Sequence, residues 1–124
     1  MPKQILVIDD EEDIRELLQI ALEMSTDWQI LTAASGSEGV ASALQNQPDA
    51  MIIDVMMPEM DGPTTVQRLR QHPATQEIPI IFLTAQTQAT KQPCYTELGI
   101  KAVLSKLIDP THFADQVAEI LDWS

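Results

Sequence analysis

Three aspartates, a threonine and a lysine stand where short apolar runs of this chain stop. The run ILVI gives way to Asp9 and Asp10, MII to Asp54, IIFL to Thr84, and AVL to Ser105 and Lys106. Carboxylates gathered at one edge repel each other and stay ionised only with positive charge among them. Oxygen donors without His or Cys suit a hard divalent ion, Mg²⁺ or Mn²⁺, and so small a ligand set fits the habit of Mg²⁺ of keeping waters and meeting a phosphate. Lys106 offers a point charge and Thr84 a hydroxyl for phosphoryl oxygens. Together these residues point to metal-assisted phosphoryl transfer, with one carboxylate free to act as nucleophile.

For that chemistry to exist, the chain must bring distant residues to one edge. Five β-rich apolar runs recur, Gln4–Ile8, Trp28–Ala33, Ala50–Ile53, Ile80–Leu83 and Lys101–Leu104. Each is too short for a helix and apolar enough to predict a strand buried on both faces. Between them the spacing turns helical. Ile14, Leu17, Leu18, Ala21 and Leu22 form one stripe, with Arg15, Glu16, Gln19 and Glu23 opposite. Ser35 and Glu38 read as a capping box, Asp61-Gly62-Pro63 as a turn opening a third helix, and Asp109-Pro110 as the start of the last one. The polar stretch from Gln86 to Leu98 predicts a mobile loop and a short helix near Pro93. Strands alternating with helices make an α/β, doubly wound, five-stranded parallel sheet, and in such sheets ligands bind outside the carboxyl ends of the strands.

Composition narrows the partners. Seven Lys and Arg against nineteen Asp and Glu give a net charge of −12 over 124 residues. Such a surface repels phosphate backbones and anionic lipid, so no direct nucleic acid or membrane binding is expected of it. No apolar run approaches the roughly 20 residues of a bilayer span, and the start MPKQ has no leader pattern, which predicts a cytoplasmic protein. The lone Cys94 offers neither a disulfide nor a metal cluster. Met51, Met56, Met57 and Met60 read as packing, His72 and His112 as surface residues, and Trp28 and Trp123 as packing near element ends. Glu11, Glu12 and Asp13 read as solvated charge at the positive end of a helix.

The sequence resembles the receiver domain of two-component response regulators, of the single-domain, chemotaxis-regulator-like kind, over essentially its whole length. The resemblance rests on Val7-Ile8-Asp9-Asp10-Glu11, on the run from Ile53 to Gly62 (IDVMMPEMDG), on Phe82-Leu83-Thr84-Ala85, and on Lys106 seven residues after Gly99. It implies a flavodoxin-like fold with strand order 2-1-3-4-5 and a single receiver domain over residues 1–124. It also implies a phosphorelay in which Asp54 accepts a phosphoryl group from a sensor histidine kinase or a histidine phosphotransfer protein. Asp10, Asp54 and the backbone carbonyl of Met56 would ligate Mg²⁺, with Asp9 acting mainly through a bound water. Thr84 and Lys106 would hold the phosphoryl oxygens, and the small Ala85 would leave them room.

Three departures from the family pattern bear on signalling, one being the unusual fourth helix, part of the family's output surface, that Pro93 and the polar run before it predict. Leu107 stands where a proline joined by a cis peptide is usual, and Val103 where an aromatic switch residue is common. Because the chain ends at Ser124, soon after the last stripe, a receiver without an output domain, acting by protein–protein binding, is expected. Two competitors share these residues: a receiver-shaped interaction module that is never phosphorylated, and a Mg²⁺-dependent phosphohydrolase with an aspartyl-phosphate intermediate. The latter needs a second acid two residues beyond its nucleophile, and Met56 occupies that place. With Met56 and Gln86 flanking the site, neither an acid nor a base is there to activate water, so a long-lived phosphoryl group is expected.

Overall fold

A computed structural model describes residues 2–85 and 98–123. Five strands, β1 (Gln4–Ile8), β2 (Gln29–Ala33), β3 (Ala50–Asp54), β4 (Ile80–Thr84) and β5 (Ala102–Ser105), pair in parallel in the order β2-β1-β3-β4-β5. Helices α1 (Glu12–Ser25), α2 (Gly36–Asn46), α3 (Gly62–Arg70) and α4 (Phe113–Leu121) cover both faces. The predicted helix near Pro93 and the loop before it fall outside the described residues.

Side-chain alternation divides the core in two. Leu6, Ile8, Met51, Ile53, Ile80 and Phe82 pack with residues of α2 and α3, such as Ala43, Val66 and Leu69. Ile5, Val7, Ile52, Ile81 and Leu83 pack with Leu18, Ala21 and Leu22 of α1 and Phe113, Ala114 and Val117 of α4. Every residue of β3 and β4 is buried, whereas β2 and β5 are half exposed. This corrects the expectation of five strands buried on both faces: an edge strand has one neighbour and less helix above it.

Local chemistry sets the helix ends. Ser35 Oγ accepts the Glu38 N–H at 3.1 Å, and the Glu38 carboxylate reaches back to the N–H of Ala34 at 2.8 Å, one residue earlier than the usual box. Asp61 caps α3 by accepting the Thr64 N–H at 2.9 Å. The last helix departs from expectation and starts at Phe113 rather than at Pro110. Asp109 Oδ1 accepts both the N–H and the hydroxyl of Thr111, at 3.0 and 2.7 Å, while its Oδ2 meets His112 Nδ1 at 2.8 Å. These bonds hold residues 109–112 as a turn. The α1 stripe is narrower than read: Leu17 is 36% exposed, being about 100° around the helix from Leu18, which carries the packing. Trp28 and Trp123 do pack, meeting edge to face at 5.1 Å.

Candidate functional site

Strand order puts the ends of β1, β3, β4 and β5 side by side, with β1 at the point where the order reverses. Parity then sorts the side chains. Counting alternately from Val7, Ile52 and Leu104, which all face α1 and α4, Asp9, Asp54 and Lys106 fall on that same face. Asp9 and Asp54 are 0% and 1% exposed, so two carboxylates stand buried at the edge of the core.

Each is aimed by its own backbone. Asp9 Oδ1 accepts the Glu11 N–H at 2.9 Å and Asp54 Oδ1 accepts the Met56 N–H at 3.2 Å, both to the residue two places on. In both residues Oδ2 is buried, and Lys106 is its only polar partner among the described residues. These two oxygens face one ammonium: Lys106 Nζ lies 3.0 Å from Asp54 Oδ2 and 3.3 Å from Asp9 Oδ2. Lys106 is itself held by its N–H, which donates to Thr84 O at 3.0 Å. Thr84, buried at the end of β4, pairs in register with Ser105.

The loop over Asp54 is pinned by close backbone approach. The Gly62 N–H donates to Val55 O at 2.9 Å. A Cβ on Gly62 would lie 2.9 Å from Asp54 O and 3.0 Å from Val55 Cα, so glycine is what lets α3 start here. Within this loop Glu59 takes a left-handed φ of 67°.

Burial dominates the electrostatics. It pushes the Asp54 carboxyl up to about 6, with Lys106 opposing and Asp9 assisting. Asp9 is raised as well, again by burial, against the pull of the Glu11 N–H and Lys106. Burial works against the Lys106 charge, but its two aspartates outweigh that and raise it. Carboxylate oxygens of Asp9, Asp10 and Asp54 lie within 4.8 Å of one another. One lysine does not balance them, and two of those oxygens are buried with that lysine as their only partner among the described residues. The donor set is all oxygen and fits a hard divalent cation.

All the aspartates singled out in the sequence thus come together with Lys106, and Thr84 stands at the neighbouring strand end. Met56 contributes its N–H to Asp54, while its side chain is exposed. Among the described residues no peptide is cis, so the Lys106–Leu107 bond is trans. Leu107 is 92% exposed, its N–H donating to Ser105 Oγ at 3.0 Å.

Sequence reasoning missed two residues. Arg15, assigned to the solvent side of α1, donates from Nη1 to Asp9 O at 2.8 Å and ties that helix to the end of β1. Glu11, read as solvated helix-start charge, makes no cap bond with its side chain and instead brings Oε1 to 3.7 Å from Lys106 Nζ. Its place directly after Asp9-Asp10 was the available signal.

Comparison with known proteins agrees with the geometry. The family model described as "Response regulator receiver domain" matches residues 5–118. The alkaline phosphatase synthesis transcriptional regulatory protein PhoP of Bacillus subtilis is 37% identical over 121 residues, 98% of this chain and 49% of that protein. The DNA-binding dual master transcriptional regulator RpaA of Synechocystis is likewise 37% identical, over 98% of this chain and 49% of its own length. The chain therefore spans about half the length of these curated relatives. Among solved structures, the chemotaxis protein CheY4 of Vibrio cholerae superposes with a TM-score of 0.89 at 28% identity, covering 97% of this chain and 99% of that one.

Proposed function

The chain belongs to the response regulator receiver domain family, and from that premise we propose that it is a phosphorylation-dependent switch whose phosphoacceptor is Asp54. Receiver domains are signalling modules rather than turnover enzymes, and their phosphoryl donors are histidine kinases. Here the donor is a phosphohistidine on a sensor kinase or phosphotransfer protein. A carboxylate oxygen of Asp54 forms the new P–O bond as the P–N bond to the donor imidazole breaks, the electron pair leaving with the nitrogen. Asp10, Asp54 and the Met56 carbonyl would hold Mg²⁺, with Asp9 supporting it through water; once bound, the ion neutralises charge on the phosphoryl oxygens. Lys106 pairs with those oxygens and Thr84 donates its hydroxyl to them. The phosphoryl group adds up to about two negative charges, and the movement of Thr84 toward it biases a pre-existing equilibrium between two surfaces.

The observation that carries this reading is the pair of buried oxygens on Asp9 and Asp54 that share one lysine, within 3.3 Å, as their partner. Such an arrangement is costly as a purely structural feature and useful for receiving a cation and a phosphoryl group. Output by these residues is read as contact with another protein, since their charge of −12 disfavours nucleic acid; the relatives PhoP and RpaA, about twice as long, are transcriptional regulators, so the expectation of no nucleic-acid binding has no support beyond these residues. Among the described residues no helix is long and apolar enough to cross a membrane; the cytoplasmic setting proposed rests on the family, whose members are typically cytoplasmic. The test is amide chemical-shift mapping with Mg²⁺ and beryllofluoride. The reading expects shifts at Asp10 and Met56 with Mg²⁺ alone, and large shifts at Thr84 and Lys106 that need both additives and vanish in Asp54→Asn; Thr84 and Lys106 shifts that survive that substitution would overturn it.

A further inference from the structure

Lys106 stands in the way of the cation that the site would take. Its ammonium is 3.0 Å from Asp54 Oδ2 and 3.3 Å from Asp9 Oδ2, two buried oxygens with no other hydrogen-bond partner among the described residues. A divalent ion seated among these carboxylates repels the ammonium beside them and so disfavours the present position of Lys106. Its freedom to move away is small. The side chain is 14% exposed, and its backbone is tied to Thr84 O.

One further carboxylate is within reach. Glu11 Oε1 lies 3.7 Å from the same ammonium, and this side chain is 60% exposed, at the mouth of the site. Its backbone is fixed on both sides: the N–H donates to Asp9 Oδ1 at 2.9 Å, and the carbonyl accepts the Arg15 N–H at 3.0 Å. Glu11 is thus built onto the carboxylate seat while its own carboxylate faces the lysine. We infer that Glu11 is a positioning residue that receives Lys106 when a divalent cation enters the seat formed by Asp9, Asp10 and Asp54. The affinity of the seat then depends on a residue that does not ligate the ion. This rests on Asp9, Asp10 and Asp54 being the seat.

The bland alternative is that Glu11 adds one more negative charge nearby and favours any cation. A double-mutant cycle separates the two, with Mg²⁺ as the probe and its dissociation constant read from the Asp10 and Met56 amide shifts. Glu11→Gln should weaken Mg²⁺ binding by about two- to fivefold, the range of an exposed ion pair. Lys106→Met, which removes the competing charge, should tighten it. In the Lys106→Met background the effect of Glu11→Gln should fall to less than half. Equal weakening with and without Lys106 overturns the inference in favour of general charge, and no weakening at all overturns it outright. Amide spectra of each variant without Mg²⁺ establish that it is folded. If the wild-type chain shows no Mg²⁺-dependent shifts, the reading of the seat fails too; binding with an additive cycle removes only the role of Glu11.

Discussion

Replacing the phosphoacceptor should make the metal-free protein more stable. Asp54 is 1% exposed, and its carboxyl is held at about 6 against an ordinary 3.8. Because the folded value lies above the unfolded one, folding favours the protonated form: this stabilisation is full below about pH 3.8 and is lost as pH rises through about 6. At pH 7.5 the ionised carboxylate costs the fold about 3 kcal/mol, and at pH 4.5 about 1 kcal/mol. Asparagine keeps the shape of the neutral acid and removes that cost. Asp54→Asn should therefore gain about 3 kcal/mol, or about 10 °C in Tm, in EDTA at pH 7.5, and the gain should shrink about threefold at pH 4.5. Paired urea and thermal melts of wild type and variant at the two pH values measure it. Saturating Mg²⁺ should narrow the gap at pH 7.5, since a cation bound only to the folded wild type stabilises it. A variant no more stable than wild type at pH 7.5, or a gain that does not change with pH, would refute the reasoning that burial of an under-compensated carboxylate dominates this site.

Other regions give independent tests. Gly62→Ala should destabilise the fold by about 1–3 kcal/mol in urea melts and shift the amides of residues 55–61, because the added Cβ meets backbone atoms of Asp54 and Val55. Arg70 donates to Gln76 O and Ile78 O at 2.9 Å and to Leu98 O at 3.3 Å, joining α3 to the approaches of β4 and β5. Arg70→Met should cost about 1–3 kcal/mol by the same assay, since several carbonyls lose their donor. The hydrogen bond and charge of Asp109 raise the His112 imidazole above its ordinary 6.5. The favourable pairing is present at low pH and lost as pH rises through that elevated value; an NMR titration should show the His112 midpoint falling in Asp109→Asn.

Alternation made much of the site legible before any coordinates. Once Gln4–Ile8 and Ala50–Ile53 are read as neighbouring parallel strands, Asp9 and Asp54 must share an edge, and the register that sets Ile8 opposite Ile53 puts them on one face. The caps of α2 and α3 were equally visible, because Ser35 and Asp61 act on N–H groups three residues away. What sequence could not reveal is contact across the sheet end. Glu11 looked like a helix-start charge because its partner, Lys106, is distant in the chain and reaches it only through the tertiary fold. The start of α4 was misplaced for a local reason: Pro110 permits a first helical turn, but the Asp109 side chain captures Thr111 and His112 instead. The width of the α1 stripe failed because Leu17 is apolar without being on the packing side.

The central claim is that Asp54 accepts a phosphoryl group with the help of a divalent cation. Intact-mass measurement after incubation with Mg²⁺ and acetyl phosphate tests it most directly. The account predicts one added phosphoryl group on the wild-type chain, lost on adding EDTA beforehand, absent in Asp54→Asn, and stable for well beyond seconds once formed. A wild-type chain that gains no phosphate, or an Asp54→Asn chain that gains as much, would contradict it.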